Sequence, residues 1–132
     1  MRSIGEVEFA VMAEIWASDG PVTIRDLTAR VNRRDRDLAY TTVITIAERL
    51  RGKGLLARDP SGRAYRYRPT LTREQYGAQL MRQVLQESSN RSGVLLEFAG
   101  NLDETTAAEL RNALAAHRND TNVRQQPPES AS

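Results

Sequence analysis

The chain has 132 residues, enough for one domain or one small domain with an appendage. It has no cysteine, which excludes disulfides, thiolate metal sites and thiol redox sensing, and no apolar run approaches the roughly 20 residues needed to span a bilayer. Net charge is only +2 but is unevenly placed: residues 1–70 hold 12 Arg and 1 Lys against 9 acids, residues 71–132 hold 6 Arg against 8 acids, and residues 49–68 hold 6 Arg and 1 Lys against Asp59 alone. Charge gathered in one part of a chain is the footprint of a polyanion partner, or else a basic surface kept for solubility. Of the 19 basic residues all but Lys53 are Arg. That group grips phosphate and guanine through paired donors, although a GC-rich genome produces the same bias. Glu6, Glu8 and Glu14 interrupt any signal-peptide core, so a cytoplasmic location with no membrane insertion is expected.

Gly5 to Ser18 reads as a first helix with Val7, Val11, Met12, Ile15 and Trp16 on a wide apolar face and Phe9 off it. Asp19-Gly20-Pro21 signals a turn. Thr23 is placed to cap a second helix to about Asn32, with Asp26 three residues on and Ile24, Leu27 and Val31 as its buried row. Arg33 to Asp37 is a charged connector whose arginines reach either phosphate or solvent.

The third helix begins near Ala39 and stops at Gly52 and Gly54. Val43, Ile46, Ala47 and Leu50 form its apolar stripe. Thr41, Thr45, Glu48 and Arg49 fall on the far side, with Arg51 and Lys53 at the end. Small hydroxyls and arginines opposite a buried stripe suit a helix lying in the major groove of DNA; a plain amphipathic helix with a solvated face is the alternative. Three short helices with the third basic outline a helix-turn-helix. Leu55 to Arg58 and Arg63 to Arg68 then read as two strands around an Asp59-Pro60-Ser61-Gly62 turn, a hairpin wing. Tyr65 and Tyr67 share one strand face and are expected to pack on the helices. Arg63, at the tip, is placed to meet a minor groove or a phosphate.

After Pro69-Thr70, Thr72 and Gln75 form a capping-box pair for a fourth helix carrying Tyr76, Leu80 and Val84 at spacings of four. Ser92 to Gly100 is a short apolar helix, and Asp103 caps a last one to about His117. From Arg118 the polar chain, with Gln125-Gln126-Pro127-Pro128, reads as a disordered tail. So small a helical region cannot build a core alone. Two copies pairing Tyr76, Leu80, Val84, Leu95, Leu96, Phe98, Leu110 and Leu114 would cover it, as would folding back on the N-terminal unit. The expected domains are residues 1–70, 71–117 and a tail over 118–132. The fold class is mainly α with a small β wing: a winged helix-turn-helix followed by a helical dimerisation region.

Several blocks carry a resemblance: Val11-Met12 with Trp16, Leu38-Ala39-Tyr40-Thr41-Thr42-Val43, Arg49-Leu50 with Lys53-Gly54-Leu55, and Tyr65-Arg66-Tyr67. Together they resemble the penicillinase-repressor, or BlaI/MecI, family over residues 4 to about 117. The resemblance implies a homodimeric winged-helix repressor on a palindromic double-stranded operator, in many members of β-lactam-resistance genes, induced through a membrane-bound sensor metalloprotease. The family's groove-facing positions fall on Tyr40, Thr41, Thr42, Thr45 and Arg49. Arg51, Lys53, Arg63 and Arg66 would supply charge to the phosphates. Staphylococcal members are cut at an Asn-Phe bond whose match here is Glu97–Phe98, so the Asn is replaced. Copper-responsive relatives carry a cysteine cluster that this chain lacks.

Nothing in the sequence points to catalysis. The single histidine, His117, has no cysteine partner for zinc and no nucleophile to activate, and Gly52-Lys53-Gly54 lacks the flanking residues of a phosphate loop. No cofactor is implied. The rival reading is a winged-helix protein-interaction module without DNA binding. It calls for exposed apolar anchors on the third helix, where only Ile44 and Tyr40 come near. A small-molecule-sensing regulator, with a pocket between wing and dimer helices, is a further variant within the DNA-binding class.

Overall fold

A computed structural model describes residues 4–125, with side chains to residue 120. The order is α1 (Glu6–Trp16), α2 (Ile24–Asn32), α3 (Tyr40–Gly52), β1 (Leu56–Ser61), β2 (Ala64–Pro69), α4 (Arg73–Glu87), α5 (Arg91–Gly100) and α6 (Glu104–Gln125). Two compact units divide after Gln86.

The first unit is a winged helix-turn-helix. Val11, Met12 and Ile15 of α1, Leu27 and Val31 of α2, and Val43, Ala47 and Leu50 of α3 meet in one core that Leu55, Leu56, Tyr67 and Tyr76 complete. The helix ends follow the chemistry of their residues. The Thr23 hydroxyl accepts from the Asp26 amide at 3.2 Å to start α2. Asn32 at the end of α2 holds the connector: its Oδ1 accepts from the Leu38 amide at 2.8 Å and its Nδ2 donates to the Leu38 carbonyl at 3.0 Å. Within that connector, Arg34 pairs with Glu14 at 2.7 Å and Arg36 with Glu6 at 3.6 Å.

At the end of α3, Gly54 has φ +82°. Its amide donates to the Arg51 carbonyl and the Leu55 amide to the Leu50 carbonyl, both at 3.0 Å. This is the Schellman arrangement, sealed by contact-ready Leu50 and Leu55, both fully buried. It turns the chain directly from the third helix into the wing.

The wing is an antiparallel pair in the register Ser61↔Ala64 to Leu56↔Pro69. The turn is Gly62-Arg63, not the expected Asp59-Pro60-Ser61-Gly62 tetrapeptide. Gly62 has φ +63° and Arg63 is not left-handed, the pattern of a type II′ hairpin. A two-residue turn makes Ser61 and Ala64 a hydrogen-bonded pair. Pro60 therefore falls where its missing N–H would point out of the ladder, and the strand continues through it. By the same alternation Tyr67 points its own amide and carbonyl outward, where they bond Val22 at 2.7 and 3.0 Å. Tyr67 is buried as expected, but Tyr65 is 45% exposed and does not pack on the helices. The Tyr65 ring meets the Arg58 guanidinium, at the edge of a cleft between the wing, α2 and α3.

Helix α4 opens with the expected capping box: the Gln75 amide donates to the Thr72 hydroxyl at 3.0 Å and the Thr72 amide to Gln75 Oε1 at 2.8 Å. Tyr76 is buried in the core of the first unit and Leu80 packs against it. Both were expected at a dimer interface. Tyr76 has a covering surface within its own chain, and Leu80 is partly covered in the same way.

In the second unit, Asn90 Oδ1 accepts from the Gly93 amide at 3.0 Å to cap α5, and Asp103 Oδ1 accepts from the Thr106 amide at 3.1 Å to cap α6. Hydrogen bonds from the Thr106 hydroxyl and from its amide hold the Asp103 carboxyl below its ordinary range. Helix α6 continues to Gln125, beyond the His117 where the sequence suggested it would end, so residues 118–125 are helical rather than tail. The rest of the expected tail, 126–132, lies outside the described residues. Among the described residues, no helix is long and apolar enough to cross a membrane.

Candidate nucleic-acid interface

Helix α3 packs Val43, Ile46, Ala47 and Leu50 inward and presents Tyr40, Thr41, Thr42, Thr45 and Arg49 outward, all five exposed. The stripe buries one face, which forces the threonines and Arg49 onto the other. The Thr45 hydroxyl donates to the Thr41 carbonyl at 3.0 Å, leaving its oxygen as an acceptor and its methyl as an apolar contact. Among the described residues no ion pair engages Arg49 or Arg63, so both guanidiniums are open to an outside anion.

Two clefts flank the helix. One, of about 520 Å³, lies between the start of α1 and the Thr41, Thr42, Thr45 and Arg49 side. The other, of about 500 Å³, lies between α3, α2 and the wing, and brings Tyr40 together with Arg25, Arg58, Arg63 and Tyr65. Arg25 was not singled out in the sequence. Its position two residues after the Thr23 cap is the signal that puts it at the opening end of α2.

The other basic residues of the set are engaged within the chain. Lys53 Nζ donates to both carboxylate oxygens of Glu8, at 2.9 and 3.2 Å. Burial pushes the Glu8 carboxyl up. The hydrogen bonds from Lys53 and the Gly5 amide, with the charges of Lys53 and Arg49, outweigh it and hold the group below its ordinary value. Arg51 Nε donates to Glu48 at 2.6 Å, and Arg66 donates to Ser61 Oγ at 3.1 Å and the Pro21 carbonyl at 3.4 Å. Glu48 also pairs with Arg58 of the wing, whose guanidinium lies over the Tyr65 ring at 4.2 Å. Burial pushes the Tyr67 phenol above its ordinary range, with a hydrogen bond from Arg58 partly opposing it, so Tyr67 remains a neutral core residue.

The apolar residues expected to pair copies are exposed in the second unit: Leu95, Leu96 and Phe98 of α5 and Leu110 and Leu114 of α6, with Val84 exposed on α4 of the first. Glu97 and Phe98 both lie within α5 and both are exposed.

The architecture is that of a winged helix-turn-helix. The penicillinase repressor family model matches residues 4–116. The chain belongs to the penicillinase repressor family. Proteins described as transcriptional regulator BlaI, from Mycobacterium tuberculosis strains CDC 1551 and H37Rv, are 37% identical over 118 residues, covering 87% of this chain and 85% of theirs. Solved structures with similarity include the YusO protein of Bacillus subtilis, with a TM-score of 0.46 and 18% identity over 93% of this chain and 77% of that one. A MarR family protein from Bacillus stearothermophilus has a TM-score of 0.45 and 16% identity over 92% and 77%. The family is one of transcriptional regulators and not of enzymes.

Proposed function

We propose that this penicillinase repressor family member binds double-stranded DNA as a homodimer and represses transcription from a palindromic operator. The observation that carries the reading is the outward face of α3. Thr41, Thr45 and Arg49 stand in a row, with Tyr40 and Thr42 beside them, all exposed, while the opposite face is core. Such a face offers acceptors, methyl groups and one forked donor to the edges of bases. Arg49 is the direct base reader. Arg63 at the wing tip and Arg25 at the start of α2 contact phosphate. Arg51, Lys53 and Arg66 already hold partners on the chain, so each contributes field and reaches phosphate only by exchanging that partner.

The dimer is the reading supported by exposed Leu95, Leu96, Phe98, Leu110 and Leu114. Burying such a side chain stabilises by about 1.5–3 kcal/mol, so a few pairs suffice. Two copies would then place their α3 helices on half-sites about 34 Å apart, or a multiple of that. The regulated genes are those of β-lactam resistance or a related stress, as the family and the relatives' name suggest. Relief would come by way of a membrane sensor protease acting at Glu97–Phe98. That bond is inside α5, and proteases act on locally opened chain, so the helix must unwind there first.

Equilibrium binding to the protein's own promoter fragment and to a scrambled duplex, each across a salt series, tests the reading. The promoter fragment should bind about 10³-fold or more tightly than the scrambled one. Equal affinities would remove sequence-specific binding at this promoter from the account.

A further inference from the structure

We propose that Glu48 is a positioning residue that locks the wing against α3, so that the wing tip and the third helix engage one half-site as a unit; this rests on the DNA-binding reading above. Glu48 is an acid within a strongly basic surface. A carboxylate facing phosphate is repelled, and a solvent-screened ion pair adds little stability. Neither attraction to DNA nor stability of the fold accounts for an acid there.

Geometry does. Oε2 accepts from Arg51 on the same helix at 2.6 Å, and Oε1 accepts from Arg58 on β1. The register puts Arg58 opposite Tyr67 and diagonal to Tyr65, on one strand face. Its guanidinium is therefore held by the Glu48 carboxylate, by the Tyr65 ring at 4.2 Å and by a hydrogen bond to the Tyr67 phenol. A planar fork held in this way has little freedom, which an ammonium would not share. On its other side the hairpin is held to the chain before α2 by the Val22–Tyr67 bonds. One tie runs to the chain just before α2 and one to α3. Added to Leu55, Leu56 and Tyr67 in the core, the two ties restrain the outer hairpin, and Arg63 at the tip is thereby held in place relative to Thr41, Thr45 and Arg49. With Glu48 neutral, the tie from α3 to Arg58 is lost while each subunit gains a positive charge; the base of the wing stays anchored through Leu55, Leu56 and Tyr67 in the core.

The test uses the full chain, a duplex carrying the footprinted promoter site, and a scrambled duplex of the same length. Glu48→Gln should bind the scrambled duplex as well as or better than the parent, yet its ratio of specific to scrambled affinity should fall about tenfold, a usual size for coupling between two sites. Arg58→Lys keeps the charge, loses the planar fork, and should lower the ratio similarly. Thermal unfolding midpoints of both should stay near the parent's. Arg63→Ala should reduce the salt slope by about one unit per subunit in the parent and much less in Glu48→Gln. The proposal is overturned if Glu48→Gln raises both affinities by the same factor, if Arg58→Lys keeps the parental ratio, or if Arg63→Ala changes the slope equally in both backgrounds. A parent protein with no preference for the promoter site would overturn the DNA-binding reading itself.

Discussion

Trp16 of α1 and Tyr76 of α4 lie with ring centroids 5.6 Å apart, and the Trp16 indole N–H donates to the Leu71 carbonyl at 3.0 Å. Phe9 meets the other side of the indole edge-on at 6.1 Å, with Arg73 over its ring at 5.3 Å. The start of α4 is thereby part of the winged-helix core. Tyr76→Ala should destabilise the first unit by about 3 kcal/mol, as truncation of a buried aromatic does, seen as a lower denaturant midpoint. A changed dimer dissociation constant at unchanged unfolding would instead place Tyr76 between copies.

The Glu8–Lys53 pair joins α1 to the end of α3. Because the folded carboxyl titrates below its ordinary 4.5, the pair contributes stability that is fully present above that pH. The contribution is lost as pH falls through the lower folded value. Glu8→Gln should therefore make the acid limb of the stability curve shallower below about pH 4.5 and leave the alkaline side alone. An unchanged acid limb would contradict the pair's role. Lys53→Ala should act mainly on stability, with the salt slope of DNA binding nearly unchanged.

Arg49→Ala should cost about 1–3 kcal/mol on the operator and relax preference at one base pair. Selection of binding sites from a randomised duplex library checks this directly. Uniform weakening on every sequence would make Arg49 a phosphate contact.

Among the described residues Leu96 is the most exposed large apolar one, at 74%, and Phe98 stands at 43%. Leu96→Glu with Phe98→Ala should weaken self-association by at least about tenfold in sedimentation equilibrium, since a charge cannot be buried unpaired. The far-UV spectrum should stay as in the parent. Self-association as strong as the parent's would remove α5 from the dimer surface.

Much of the reading region was legible in the sequence because short-range chemistry dictates it. Thr23, Thr72 and Asp103 cap the helices that the residue pattern assigns to them, and Gly54 follows α3 at a left-handed φ that glycine adopts without the usual side-chain penalty. The apolar stripe of α3 fixes its outward face. What escaped depended on partners distant in sequence. Pairing of Glu48 with Arg58 requires the hairpin register, which the Pro-Gly turn signal misplaced. The Tyr76, Leu80 and Val84 stripe shows that a face seeks cover but not that α1 supplies it for Tyr76. The run Asn119-Asp120-Thr121-Asn122 has weak helix propensity, yet no breaker appears before Pro127, and α6 continues to Gln125.

If α3 reads a specific duplex, protection on that duplex must depend on its outward side chains. DNase footprinting on the protein's own promoter, with the parent and Arg49→Ala side by side over a salt series, tests it most directly. The parent should give a two-fold-symmetric protected site and steep loss with salt, and Arg49→Ala weaker, less selective protection. Diffuse protection at every salt concentration, identical for the two proteins, would contradict it.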